Sequence, residues 1–132
     1  MNVLVIEKDS FVVEEIRQVF NYSIPEARVI AFNALKRPTS IIKFQPDLVI
    51  LSAEKVDDPA FDFVFRLRTL SEVPIITLSY SADCEILVKA LDLGANCHIK
   101  KPLRLMEFGA RAKSILRRFG NLDSPETASN NQ

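Results

Sequence analysis

The chain has 132 residues, 17 basic and 17 acidic side chains and one histidine, so its formal net charge is zero. That length suits one domain, and 48% hydrophobic residues suit a packed core rather than a disordered chain. Zero charge without a basic run argues against this segment wrapping nucleic acid by itself. No apolar stretch reaches the ~18 residues of a membrane span. The opening Met1-Asn2-Val3-Leu4-Val5-Ile6-Glu7 lacks the basic region and cleavage site of a signal peptide. Cys84 and Cys97 are too few for a disulfide scaffold; they fit a reducing cytosol and the role of small buried hydrophobes.

In chain order, Val3 to Ile6 is an apolar run without polar alternation, which predicts a strand buried on both faces. Asp9 or Ser10 can cap a helix in which Val12, Val13, Ile16, Val19 and Phe20 recur at helical spacing. A second strand is expected over Arg28 to Phe32 and a second helix over Ala34 to Phe44, with Pro38 in its first turn. Leu48-Val49-Ile50-Leu51 is the strongest strand signal, followed by the loop Ser52 to Pro59 and a helix from Ala60 to Leu70. A fourth strand runs from Pro74 to Leu78, a helix from Ala82 to Leu93 ends at Gly94, and Cys97-His98-Ile99 is a short fifth strand. The last helix, Arg104 to Phe119, places Leu105, Phe108, Ala112, Ile115 and Phe119 on one stripe. Residues 120–132 are polar and read as a linker or tail, leaving a domain over 1–119.

Alternating strands and helices predict an α/β fold: a doubly wound, five-stranded parallel sheet with helices on both faces. Ligand crevices in such sheets lie beyond the carboxyl ends of the strands, here Glu7-Lys8-Asp9, Ser52, Ser79 and Lys100-Lys101-Pro102.

These pieces, in this order and spacing, resemble the receiver domain of bacterial response regulators, a flavodoxin-like fold. The likeness runs from Val3 to Arg118. It rests on Leu4-Val5-Ile6-Glu7, Pro46-Asp47-Leu48-Val49-Ile50-Leu51, Val73-Pro74-Ile75-Ile76-Thr77-Leu78-Ser79, Ala90-Leu91-Asp92-Leu93-Gly94-Ala95 and Lys101-Pro102. The resemblance implies carboxylates that hold magnesium after the first strand and a phosphoacceptor aspartate at the end of the third. It also implies a lysine after the fifth strand, a switch hydroxyl after the fourth and a switch aromatic on the fifth. Glu7, Asp9, Ser79 and Lys101 match. Ser52 stands at the phosphoacceptor position, Lys8 at an acidic metal-ligand position and His98 at the switch aromatic; Ala60 and Val56-Asp57-Asp58 also depart from the pattern.

The degenerate pocket is therefore Glu7, Lys8, Asp9, Ser52, Ser79 and Lys101, with Ser79 and His98 at the switch positions. Glu7 and Asp9 are balanced by Lys8 and Lys101, so the pocket is expected to need no metal, with the Lys8 ammonium reaching Glu7 or Asp9. Ser52 as a hydrolytic nucleophile lacks a base, since His98 should lie a strand or more away. As a kinase acceptor it is recessed. His98 reads as a structural residue, with a sensor role resting only on its position.

The fourth helix is apolar nearly all round. In winged-helix transcriptional regulators with this type of receiver, the fourth helix, fifth strand and fifth helix form a two-fold dimer. The corresponding residues here are Ile86, Leu87, Val88, Lys89, Leu91, Asp92, Glu107, Gly109, Arg111 and Arg118. Asn96-Cys97 stands where that group has two aspartates, and Phe65 is a further exposed candidate. The expectation is a cytoplasmic pseudo-receiver, not an enzyme: a phosphorylation-independent signalling and homodimerisation module without cofactor or metal. DNA would be bound only through a C-terminal domain outside this chain. A stand-alone adaptor for a protein partner is the runner-up, and phosphotransfer through Ser52 the third reading.

Overall fold

A computed structural model describes residues 1–122; the expected tail falls, from residue 123 on, outside the described residues. The chain alternates β1 (Asn2–Ile6), α1 (Ser10–Ser23), β2 (Arg28–Phe32), α2 (Pro38–Ile42), β3 (Leu48–Ser52), α3 (Pro59–Leu70), β4 (Ile75–Ser79), α4 (Cys84–Leu93), β5 (Cys97–Lys100) and α5 (Leu105–Arg118). All neighbouring strands are parallel, in the order β2-β1-β3-β4-β5.

The apolar strands divide their side chains between two cores by the two-residue period of the pleat. Val3 and Val5, Leu48 and Ile50, and Ile76 and Leu78 face α1 and α5, meeting Ile16, Phe20, Phe108 and Ala112. Leu4 and Ile6, Val49 and Leu51, and Ile75 face α2, α3 and α4, meeting Ile41, Phe61, Val64 and Ala90. Phe20 and Phe108 meet edge to face at 6.3 Å between centroids, which locks α1 to α5.

Helix ends are set locally. Asp9, Asp58 and Asp83 each accept a backbone N–H of the first turn, from Phe11, Ala60 and Glu85. The second helix is five residues rather than the expected eleven-residue stretch: Pro38 occupies its first position after an extended Arg37, so residues 34–37 stay outside it. The fourth helix likewise starts at Cys84, two residues later than expected, because Asp83 caps it. Gly94, at φ 122°, ends that helix and passes close to Arg68. The Arg68 guanidinium donates to Gly94 O (2.7 Å), Val73 O (2.7 Å) and Asn96 Oδ1 (2.9 Å), tying the end of α3 to the α4–β5 loop. The fold does not stop at Phe119: Asn121 N donates to Leu116 O, and Leu122 packs on the core beside α5. No described helix is long and apolar enough to cross a membrane.

Candidate functional site at the carboxyl ends of the strands

Strand order reverses at β1, with β2 on one side and β3 on the other, so the crevice opens over β1 and β3. Glu7 directly follows β1. Its N–H donates to Phe32 O at 2.9 Å, which extends the ladder by one residue and turns the carboxylate inward, 5% exposed. Ser52 is the last residue of β3. Lys101 follows β5, its N–H donating to Ser79 O at 2.7 Å, and is 4% exposed.

These three side chains converge. The Lys101 ammonium donates to Glu7 Oε1 at 2.9 Å and to Ser52 Oγ at 3.0 Å, and Ser52 Oγ donates to the same Glu7 oxygen at 2.9 Å. A fourth member was not found by sequence reasoning. Glu54, in the β3–α3 loop, lies 3.1 Å from the Lys101 ammonium through Oε1. Its Oε2 accepts from the Ser79 hydroxyl at 3.2 Å, and its carboxylate accepts from Tyr80 N at 3.0 Å. The Tyr80 ring lies under the ammonium, 4.5 Å from centroid to nitrogen. An acid two residues beyond the end of a central strand was the available signal for Glu54; nothing in the sequence pointed to Tyr80.

Two carboxylates thus share one ammonium. Burial alone would pull the Lys101 pKa down, but hydrogen bonds and charge from Glu7 and Glu54 outweigh it and hold it above the ordinary lysine value. Among the described residues no buried side-chain nitrogen or oxygen lacks a partner, so this network is closed on itself.

Lys8 and Asp9 do not behave as expected. Lys8 is exposed and makes no ion pair among the described contacts; only its backbone N–H serves the site, donating to Glu7 Oε2 at 3.0 Å. With Glu7 turned inward, its neighbour points to solvent, where an ammonium keeps its hydration. The Asp9 carboxylate caps α1 instead of meeting Lys8. Both border an open cavity of about 760 Å³ that also reaches Asn33, Lys55 and Asp57.

The switch positions lie nearby. Ser79 is fully buried, and its hydroxyl is committed to Glu54 while accepting from Ser81 N at 3.0 Å. His98 pairs across strands with Thr77 and shares a 2.7 Å hydrogen bond between Nδ1 and Thr77 Oγ1. Burial lowers its pKa, against a smaller opposing pull from Glu54. His98 is thus a satisfied half-buried residue, hydrogen-bonded to Thr77 rather than to Ser52, Glu7 or Lys101 among the described residues.

On α4, Leu87, Val88 and Leu91 are 38, 53 and 46% exposed and share one face. Ile86 does not join them: at 3% exposure it points into the core against α3. Gly109 also faces inward, because a Cβ there would stand 2.9 Å from Ser23 Oγ and 3.1 Å from Val19 Cγ1; it permits the close approach of α1 and α5. Lys89 reaches Val56 O and the Phe61 ring within its own chain. Arg111 pairs with Glu107 at 3.1 Å one turn back, while Asp92 and Arg118 are exposed. Phe65 is 50% exposed. No group of three or more His, Cys, Asp and Glu side chains among the described residues converges as a metal site.

The family described as "Response regulator receiver domain" matches residues 3–113. The chain is 35% identical over 82 residues to the KDP operon transcriptional regulatory protein KdpE of Escherichia coli K12, a match spanning 62% of this chain and 36% of that protein. It is 31% identical to the sensory transduction protein BceR of Halalkalibacterium halodurans, over 95% of this chain and 54% of that protein. The matched span is thus about a third to a half of the length of these curated relatives. Among solved structures, HP1043, described as an orphan response regulator of H. pylori, superposes with TM-score 0.76 at 29% identity, over 89% of this chain and 97% of that one.

Proposed function

The chain belongs to the response regulator receiver domain family, and from that premise we propose that it signals without an aspartyl phosphate, as a dimerisation module of a transcriptional regulator. One observation carries this reading: the Lys101 ammonium is bound at 2.9 to 3.1 Å to Glu7, Ser52 and Glu54 together. β3 ends on a serine hydroxyl, a poor acceptor without a base, and the base it contacts, Glu7, is held by the same ammonium.

The donors do not suit the divalent cation that the family resemblance implies. Glu7 Oε1 is shared by Ser52 and Lys101, and Oε2 by the Lys8 N–H. A cation on Glu7 would meet the Lys101 ammonium at close range. Like charges ~4 Å apart repel by ~4 kcal/mol per unit charge pair at an effective dielectric near 20, and a divalent ion doubles that. No step in this reading passes through a metal.

The test is chemical. After incubation with acetyl phosphate and magnesium, intact-mass spectrometry is expected to find no acid-labile adduct, and beryllium fluoride with magnesium is expected to leave the spectrum of the domain unchanged. A stoichiometric acid-labile phosphate would overturn the reading. The transcriptional part draws on the relatives, KdpE being named a transcriptional regulatory protein; DNA would be bound by a domain outside this chain.

A further inference from the structure

The chain is neutral as a whole, but its charge is unevenly spread. From Ala27 to Pro46 it carries Arg28, Lys36, Arg37 and Lys43 and no acid, which leaves the remainder with an equal excess of acids. The fold gathers this stretch into one flank, β2 followed by α2, at the edge of the sheet opposite β5. All four cations are exposed, and none pairs with a carboxylate among the described residues. Of the two acids bordering the stretch, Asp47 is turned to Asn2 N at 2.8 Å, and Glu26 lies outside β2. The cations fall into two pairs. Arg28 N donates to Met1 O and Asn2 Nδ2 donates to Phe44 O, so Arg28 and Lys43 share the end of the flank where β1 and β2 begin. Lys36 and Arg37 lie between β2 and α2 at the other end, separated from the first pair by β2, a five-residue strand of ~16 Å. Apolar surface accompanies them. Leu35 and Phe44 are each 40% exposed, and Phe44 meets the Phe32 ring, over which the Lys36 ammonium stands at 5.5 Å.

This arrangement restricts what can dock. A second copy set edge to edge would bring cations against cations, and the open edge is already occupied at Val29 O, which accepts from Arg17 Nη1 at 2.8 Å. A nucleic-acid backbone would use the cations and set Leu35 and Phe44 against phosphate. We propose that the β2–α2 flank docks an extended acidic segment of a partner protein. One carboxylate cluster would meet Lys36 and Arg37, a second would meet Arg28 and Lys43, and apolar side chains between them would cover Leu35 and Phe44. At ~3.3 Å per extended residue, the separation of the two cation pairs sets the acidic clusters about five residues apart. Each exposed ion pair is weak, so recognition depends on engaging both ends together. The flank lies at the sheet edge opposite β5, so it is free whether or not the chain dimerises through α4, β5 and α5.

The experiment titrates the full chain, followed by ¹H–¹⁵N spectra, with a capped peptide of sequence Glu-Glu-Thr-Val-Thr-Glu-Glu. The controls are the same residues with the four glutamates contiguous, and a short DNA duplex. The peptide should shift the amides of Arg28, Lys36, Arg37 and Lys43 saturably, and less strongly as salt is raised. Lys43→Glu and Lys36→Glu/Arg37→Glu each reverse charge at one end, and each should weaken binding about tenfold or more. Leu91→Asp, which addresses only the proposed dimer surface, should bind the peptide as the parent does; loss of binding there would tie the contact to dimerisation and overturn the claim. A parent whose spectrum ignores the peptide would also overturn it. So would binding that survives either reversal, equal binding of the contiguous-glutamate peptide, or tighter binding of the duplex at the same amides. If a reversal disturbs the fold, the neutral Lys36→Gln/Arg37→Gln decides, and parental affinity in it would equally end the idea.

Discussion

Two lysines border the same crevice and differ completely in their environment. Lys101 is 4% exposed and neutralises a carboxylate that is itself 5% exposed; Lys8 is exposed and pairs with nothing among the described residues. Removing one partner of a buried pair leaves an uncompensated charge, a loss of ~3–5 kcal/mol, whereas an exposed unpaired residue changes stability by ~0.5 kcal/mol or less. Urea unfolding should therefore show Lys101→Met severely destabilised and Lys8→Ala near the parent; a large effect of Lys8→Ala would place its ammonium in the network after all. His98 gives a pH signature. Its folded pKa lies below the ordinary 6.5, so the unfolded chain takes up the proton first as pH falls. The His98 contribution is intact above 6.5, erodes as pH drops below it and levels off under the folded pKa. Unfolding midpoints measured across that window should fall less steeply for His98→Gln than for the parent. Identical slopes would show that the histidine is not held neutral.

The element most constrained by its neighbours is the α4–β5 connection. Gly94 sits at φ 122°, a conformation that side chains with a Cβ rarely adopt, and a Cβ there would stand 2.8 Å from Arg68 Cγ. Gly94→Ala should thus cost ~1–3 kcal/mol for backbone strain, with more lost as Arg68 is pushed off Gly94 O, Val73 O and Asn96 Oδ1. A thermal or urea midpoint equal to the parent's would contradict this. The same element explains why an apolar helix is not all interface. Ile86 and Ala90 fill the core, and only the stripe of Leu87, Val88 and Leu91 remains outside.

For the whole molecule, the proposed assembly through α4, β5 and α5 rests on that stripe, with exposed Asp92, Arg111 and Arg118 around it. An interface centred on three apolar residues per copy is small, ~1,000 Å² in total, so a dissociation constant near the micromolar range is expected. Sedimentation at concentrations above that should find a dimer. Leu91→Asp and Val88→Asp should give folded monomers, since each would bury an unpaired charge at the centre. Ile86→Asp should instead unfold the domain. Arg111→Glu should weaken the dimer less, and by a smaller margin at high salt, because screening already weakens rim pairs. A parent that stays monomeric would remove self-association, and a dimer indifferent to Leu91→Asp would move it to another face.

How much was legible in the sequence follows the range of the forces involved. The strand and helix order, the sheet class, the caps at Asp9 and the break at Gly94 are local or periodic features, and the chain determined them by itself. So was the presence of Glu7, Ser52, Ser79 and Lys101 at the ends of strands, because those ends share one edge of any such sheet. Which charges meet was decided only by the tertiary structure. Lys8 and Glu7 are adjacent in sequence, yet the pleat sends them apart, while Lys101 reaches Glu7 across 94 positions. Ile86 and Gly109 could be assigned to a surface only by ignoring that α3 and α1 would cover them. Glu54 acquires its partners only when the β4–α4 loop and the end of β5 fold against it. A desolvated charge selects its partner by distance in space, and the one-dimensional chain does not contain that distance.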